Sequence, residues 1–477
     1  MKVSDYVKHD AVGLGSLVNT GEVTRRELIQ AARAAYDDIN PQINAVIEFY
    51  EDVEDGSGAG FGPFNGVPFF RKDIGPAEAG RLQERGSRLF RAHRTEVESY
   101  FFCRARNGGL CTLGRTALPE FGTSGTSESL LHGITRNPWN LSRSSGGSSS
   151  GSAAAVAAGI TPIAHASDGG GSIRVPAAWC GLVGLNPSPG RIPGGAEAQD
   201  ASFGITRQFV LCRSVRDMAA ALDVFSPPHA GDPFIIIQPD RPYLDQLLQR
   251  TGKLRVGVAR SKWGAVKPDQ EIISCLEATA TKLEEMGHSI RDMQPPYVAS
   301  DYVRILLGRS MLNAPLLEEA ARQLGREING DTLEPINLKI HELCRNARPY
   351  DPRQLIEDLR KMQFDVGAAI DQFDILLTPT MPIVAPPHGN SYCTTNPALS
   401  AEEYLEADAA LYQFLGVFNV TGHPSLSLPL GQSIEGLPIG IQVVGRFGDE
   451  ATLVRVARDL EEAMPWVHRR PGVLANG

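Results

Sequence analysis

No stretch of the 477-residue chain approaches the roughly 20 consecutive apolar residues that a membrane-spanning helix needs. The least polar stretch, Ala153 to Ala166, is short, rich in small residues and broken by Gly159 and Pro162. Met1-Lys2-Val3-Ser4-Asp5-Tyr6 carries no apolar core, so no secretory leader is expected. Charge of one sign is also scarce. The formal net charge is −9 and no Lys/Arg block or stripe occurs, which gives no reason to expect nucleic acid as a partner. Seven cysteines (Cys103, Cys111, Cys180, Cys212, Cys275, Cys344, Cys393) are scattered without C-x-x-C spacing. This excludes a disulfide framework or zinc site and points to reduced thiols in the cytoplasm. No H-E-x-x-H or His/Asp cluster has metal-ligand spacing, and the glycine loops lack the lysine of a phosphate-binding loop. No metal or cofactor is therefore expected. What remains is an ordinary globular composition, 42% hydrophobic and 21% charged, without internal repeats. At this length one large enzyme and two fused units both fit.

Helical and strand patterns alternate. Thr24-Arg25-Arg26-Glu27 is a capping box, and Leu28, Ala31, Ala32, Ala35 and Ile39 follow at helical spacing. After a glycine-rich turn from Gly56 to Gly66, residues 65–71 read as a buried strand. Gly108-Gly109 ends a helix, and another strand follows through Gly114. Ser152 to Gly159 reads as a serine-capped alanine helix stopped by glycine, with a strand over Ile160 to Ala166. Further strands are expected at Leu254–Ala259, Phe373–Thr378 and Ser425–Leu430, with a long helix at 268–286. The pattern is that of an α/β fold around one mixed sheet. Residues 295–363 are mostly helical and more charged, and fit either an insertion over a pocket or a solvated flank.

Against this background two glycine-serine clusters stand out, Gly146-Gly147-Ser148-Ser149-Ser150-Gly151 and Asp168-Gly169-Gly170-Gly171-Ser172. Together they place candidate hydroxyls and a run of backbone N–H groups in one strand-helix unit. Glycines allow consecutive N–H groups to converge on one oxygen. Upstream, Gly66-Val67-Pro68-Phe69-Phe70-Arg71-Lys72-Asp73 sets a lysine after an apolar run. Nucleophile, relay hydroxyl, base and anion-cradling loop are the requirements of acyl transfer. Lys72 serves as a base only when neutral. Its pKa must fall from about 10.4 to near 7, about 4 kcal/mol, through burial, with Asp73 pointing away.

Other readings of these residues are weaker. Gly147-Ser148-Ser149-Ser150-Gly151 also satisfies G-x-S-x-G, but a nucleophile elbow on Ser149 needs a buried strand before it. The lead-in, residues 136–143, reads as loop. His165 reads as a satisfied core residue, His423 as a turn residue, and Cys180 as a small buried hydrophobe.

The chain resembles the amidase signature family of serine amidohydrolases in Gly146 to Ala158, Asp168 to Ala177 and Cys180 to Leu185. The likeness continues in Gly66-Val67-Pro68, Lys72-Asp73, Thr378-Pro379-Thr380, Asn419 to Pro424 and Gly436 to Gln442. It implies a single large domain over 1–477, with a central mixed, twisted β-sheet covered by helices on both faces. It also implies Ser172 as nucleophile, Ser148 as relay on a cis peptide after Gly147, and Lys72 as base. The N–H groups of Gly169, Gly170, Gly171 and Ser172 would form the oxyanion hole, with Gly147, Ser149, Asp168 and Arg174 in support. Within the family, Thr135–Leu141, Ser214–Asp217 and Pro465–Pro471 resemble the branch of nylon-oligomer hydrolases and urethane-cleaving amidases. The implied substrate is a small or medium amide, with esters and carbamates as chemically close options, taken by a monomer or homodimer. Two other readings share the resemblance: an amidotransferase subunit working in a complex, and a non-catalytic binding module. Gly169 departs from the family pattern, where threonine or isoleucine is common, and a fourth small residue is expected to loosen the loop.

Overall fold

The computed structural model describes residues 1–53, 60–195, 204–232, 236–347 and 349–476. Its frame is an eight-stranded mixed sheet. The strands run in the order Ser289–Asp292, Arg255–Val258, Ile375–Pro379, Pro438–Gly445, Ser425–Gln432, Val183–Asn186, Arg207–Cys212 and Ile163–Asp168. The first three are mutually parallel and the rest pair antiparallel. A separate three-stranded sheet joins Val46–Phe49, Leu110–Thr116 and Val67–Lys72.

The local sequence accounts for the elements that matter to the site. The helix Arg25–Ile43 begins at the expected capping box, and Leu28, Ala31, Ala32, Ala35 and Ile39 are all buried. Val67–Lys72 is buried at every position, including its charged end. The alanine helix covers Ser150–Ala157 and is buried all round, so it is apolar on every side. A Cβ on Gly151 would stand 2.2 Å from the Ala45 carbonyl oxygen, which is how closely this helix approaches its neighbours.

Two local expectations need correction. The alanine helix starts before Ser152 and its N-cap is Ser149. Ser152 cannot cap because its hydroxyl donates to the His165 carbonyl at 2.7 Å. The loop-like lead-in contains short paired strands, Arg136–Asn137 and Asn140–Ser144. The paired residues there are mostly polar and half exposed, so no hydrophobic alternation announced them. Part of the glycine-rich turn, 56–59, lies outside the described residues. The remaining strands and the long helix, Gln270–Glu285, lie where expected. Residues 295–363 hold the helices Ala299–Gln323 and Pro335–Asn346 and most of Pro352–Ile370, residue 348 lying outside the described ones.

Candidate active site

Strand ends and glycine turns bring Lys72, Ser148 and Ser172 to one cavity. Lys72 Nζ lies 2.7 Å from Ser148 Oγ and 3.0 Å from Ser167 Oγ. The Gly147–Ser148 peptide is cis. Ser149 ties the two glycine clusters together. Its N–H and its hydroxyl both donate to the Ser172 carbonyl, at 3.3 and 2.6 Å. Among the described residues no hydrogen bond joins the Ser148 and Ser172 hydroxyls directly; the two share the cavity wall.

Lys72 is fully buried. Burial disfavours its ammonium form and lowers its pKa to about 7, against the pull of the Asp168 carboxylate. Its neighbour Asp73 does not restore the charge. Asp73 Oδ2 accepts from Arg115 at 3.0 Å and from the Glu84 N–H at 3.1 Å, on the far side of the strand. Among the described residues no carboxylate lies within ion-pair distance of Lys72.

The second glycine turn presents donors. Among the described residues, the N–H groups of Gly170, Gly171 and Ser172 have no protein acceptor. Gly171 adopts φ +148°, and a Cβ there would come within 2.6 Å of Leu415 and 2.7 Å of Tyr412. The turn is braced by a fully buried pair. Arg174 Nη2 and Nε donate to the two Asp168 oxygens at 2.9 Å each. Burial alone would raise the Asp168 pKa, but Arg174, Asn419 and the Ile173 N–H outweigh it and hold the carboxyl at about 2.

Comparison with known proteins places this geometry. The Amidase family model matches residues 27–454. The chain belongs to the amidase family. The 6-aminohexanoate-cyclic-dimer hydrolase of Paenarthrobacter ureafaciens is 35% identical over 482 residues, covering 98% of this chain and 97% of the relative. A solved structure of 6-aminohexanoate cyclic dimer hydrolase superposes with a TM-score of 0.90 at 34% identity, covering 98% of this chain and 99% of that one. A bacterial aryl acylamidase of the amidase signature family gives 0.84 at 26% identity, with 96% of each chain covered. Like these proteins, the chain has an α/β fold with a large mixed sheet and is an amide-hydrolysing enzyme.

Within this amidase the distant motif pieces acquire a physical purpose. Arg174 Nη1 donates to Gln442 Oε1 at 2.9 Å, to Ser425 Oγ at 3.1 Å and to the Leu415 carbonyl at 3.1 Å. Gln442 is oriented by donating to Thr378 Oγ1 at 2.9 Å and to the Phe414 carbonyl at 2.7 Å. Asn419 accepts from Arg174 and donates to Asp168 Oδ1 at 2.9 Å. Thr378, Asn419 and Gln442 therefore all converge on the residue that steadies the glycine turn.

Other candidates fall away. Ser149 is fully buried with its hydroxyl engaged, so it is no exposed elbow nucleophile. His165 Nδ1 accepts from the Lys72 N–H at 3.2 Å and its Nε2 faces Gln208 Oε1 at 3.1 Å. Burial lowers its pKa to about 3, so it is a neutral core residue. His423 pairs with Thr421 at 2.9 Å in a turn. Cys180 is buried. Asp73, Glu84 and His132 do cluster with metal-ligand spacing, which no motif revealed. The Arg115 guanidinium already occupies that cluster, 3.0 Å from Asp73 and 2.7 Å from Glu84.

The cavity of about 650 Å³ also has walls that no motif disclosed. The helix Ala299–Gln323 contributes Tyr302, Leu306 and Arg309, and the segment after Ala401 contributes Tyr404, Asp408 and Tyr412. Arg309 Nη1 donates to the Gly169 carbonyl at 3.0 Å, an anchor for the extra glycine that the sequence did not foreshadow. The sequence marks 295–363 only as mostly helical and more charged, and nothing in its spacing says which side meets a cavity.

Proposed function

We propose that this amidase cleaves C–N bonds of small and medium amides, linear and cyclic, through an acyl-enzyme on Ser172, with Ser148 as relay and Lys72 as base. The observation that carries the reading is a buried lysine amine without a counterion, 2.7 Å from a hydroxyl in the cavity. In the proposed cycle neutral Lys72 takes the Ser148 proton while Ser148 takes that of Ser172. Ser172 Oγ then bonds to the carbonyl carbon. The oxyanion is received by the N–H groups of Gly169, Gly170, Gly171 and Ser172. The C–N bond breaks, Ser148 returns the proton to the departing amine, and water cleaves the acyl ester. The hydroxyls are not hydrogen-bonded to one another in the free enzyme, which is compatible with contacts that tighten when substrate fills the site.

The cavity volume suits a small or medium ligand. The resemblance to a cyclic-dimer hydrolase supports cyclic as well as linear amides. Esters and carbamates present the same carbonyl to the same nucleophile and are included in the proposal. Near-complete coverage by hydrolase relatives favours an enzyme that acts alone, as monomer or homodimer, over an amidotransferase subunit. We assign the helices of 295–363 as a cover over the cavity within the same domain. No described helix is long and apolar enough to cross a membrane. Seven scattered cysteines without C-x-x-C spacing support a cytoplasmic setting.

The test is a hydrolysis panel of p-nitroanilides, primary amides, esters and carbamates, with phosphonyl-fluoride labelling. The expected result is anilide turnover by the isolated chain and a covalent label that disappears in Ser172→Ala. A label that persists in Ser172→Ala, or turnover that requires glutamine and a partner, overturns the reading.

A further inference from the structure

Asp408 stands on the helix Ala401–Leu411 and lines the same cavity as Ser148 and Ser172. Neither of its carboxyl oxygens makes a hydrogen bond to the protein among the described residues, and Oδ1 is sealed from solvent without a partner. Asp408 as a whole is half-buried, but a sealed carboxyl oxygen of this kind is costly unless something supplies a donor or a cation. Arg309, a cation on the same wall, gives Nη1 to the Gly169 carbonyl and among the described residues forms no ion pair with Asp408. Three tyrosines of the same cavity, Tyr302, Tyr404 and Tyr412, lie close enough for the Asp408 charge to act on their hydroxyls. A carboxylate beside tyrosine rings is chemistry that can receive an ammonium group.

We propose that Asp408 is a specificity residue that binds a primary ammonium group carried by the amide substrate, away from the scissile bond. The proposal rests on the acyl-transfer reading of Ser172 and names the substrate class within it. Burial raises the Asp408 pKa to about 7, as expected for a carboxyl with no counterion. An incoming ammonium would supply that counterion and favour the ionised form. Linear amides of chains with a free amine end fit this site, and neutral acyl chains of equal length lack its main contact.

The test compares three p-nitroanilides: 5-aminopentanoyl, pentanoyl, and the mono-anilide of a six-carbon dicarboxylic acid. A fourth substrate, pentanoyl 4-(aminomethyl)anilide, carries the ammonium on the leaving side, with pentanoyl 4-methylanilide as its neutral control. The wild type is expected to favour one of the two ammonium substrates over its neutral counterpart by about tenfold in kcat/KM, and to disfavour the carboxylate chain. Which ammonium substrate is favoured tells whether the site receives the acyl or the amine portion. In Asp408→Asn that ratio should fall toward one, and Asp408→Glu should restore part of it. Phosphonyl-fluoride labelling of Ser172 in each variant reports that the site is assembled. An unchanged ratio in a labelled Asp408→Asn, or no ammonium preference in the wild type, overturns the ammonium site alone. Failure of the wild type to cleave any of these substrates would instead overturn the acyl-transfer reading beneath it.

Discussion

On the serine side of the cavity, Arg174 reaches Asp168, Asn419, Gln442, Ser425 and the Leu415 carbonyl from a fully buried position. On the helical side, Asp408 lines the same space with no side-chain hydrogen bond to the protein, and Leu306 contributes apolar contact. The first wall is specified by directional bonds to five partners on four separate stretches of chain. The second is specified mainly by packing, which tolerates change in shape far better. On the proposed mechanism, chemistry that needs fixed donors sits on the first, and the variable part of a substrate would meet the second.

Substitutions should divide along the same line. Ser172→Ala is expected to reduce turnover to background, and Lys72→Ala to lose about a thousandfold or more with the fold intact, read by anilide kinetics and circular dichroism. Near-normal rates for Lys72→Ala at neutral pH would refute the base assignment. Asp168→Asn leaves the Arg174 guanidinium short of its counter-charge, with an expected loss of about 3–5 kcal/mol in denaturant unfolding. The folded pKa of Asp168, about 2, lies below the unfolded value, so its contribution is full above about pH 4 and is lost as pH falls through about 2.

The dependence of kcat/KM on pH follows from Lys72. A base held at about 7 is protonated below that value, so activity should rise with a midpoint near pH 7 and fall about tenfold per unit beneath it. A flat profile from pH 5 to 8 would exclude Lys72 as the proton acceptor. Arg309→Ala frees the Gly169 carbonyl and is expected to lower kcat about tenfold while moving the melting temperature little. Leu306→Ala, on the packed wall, should shift KM by a few-fold and stability by about 1 kcal/mol. Equal stability losses for Asp168→Asn and Leu306→Ala would erase the distinction between the two walls.

Much of the serine side was legible in sequence because its parts are local. The capping box before Arg25, the apolar run before Lys72 and the two glycine clusters each announce a backbone shape within a few residues. Thr378, Asn419 and Gln442 were visible only as pieces of a family pattern. Their common target, Arg174, is more than 200 residues away from each in the chain. Tyr302, Arg309 and Asp408 left no signal at all. They sit on long helices whose polar and apolar spacing is the same whether a face meets solvent or a cavity. The Ser152 cap failed for another reason: the helix ran further back, and that hydroxyl was spent on a carbonyl of the next strand. Arg115 filling the Asp73, Glu84 and His132 cluster was equally hidden, since three separate segments meet there.

Lys72 ends the strand Val67–Lys72 and Asp73 directly follows it, and the two point apart, one toward Ser148 and the other toward Arg115. That alternation is the period of an extended chain, and it separates a proton acceptor from the anion that would quench it. Deleting a single residue between Gly66 and Lys72 would exchange their directions and deliver a carboxylate to the relay serine. The phase of six buried residues thus works as an insulator, and the enzyme's tolerance for insertions should be narrowest there.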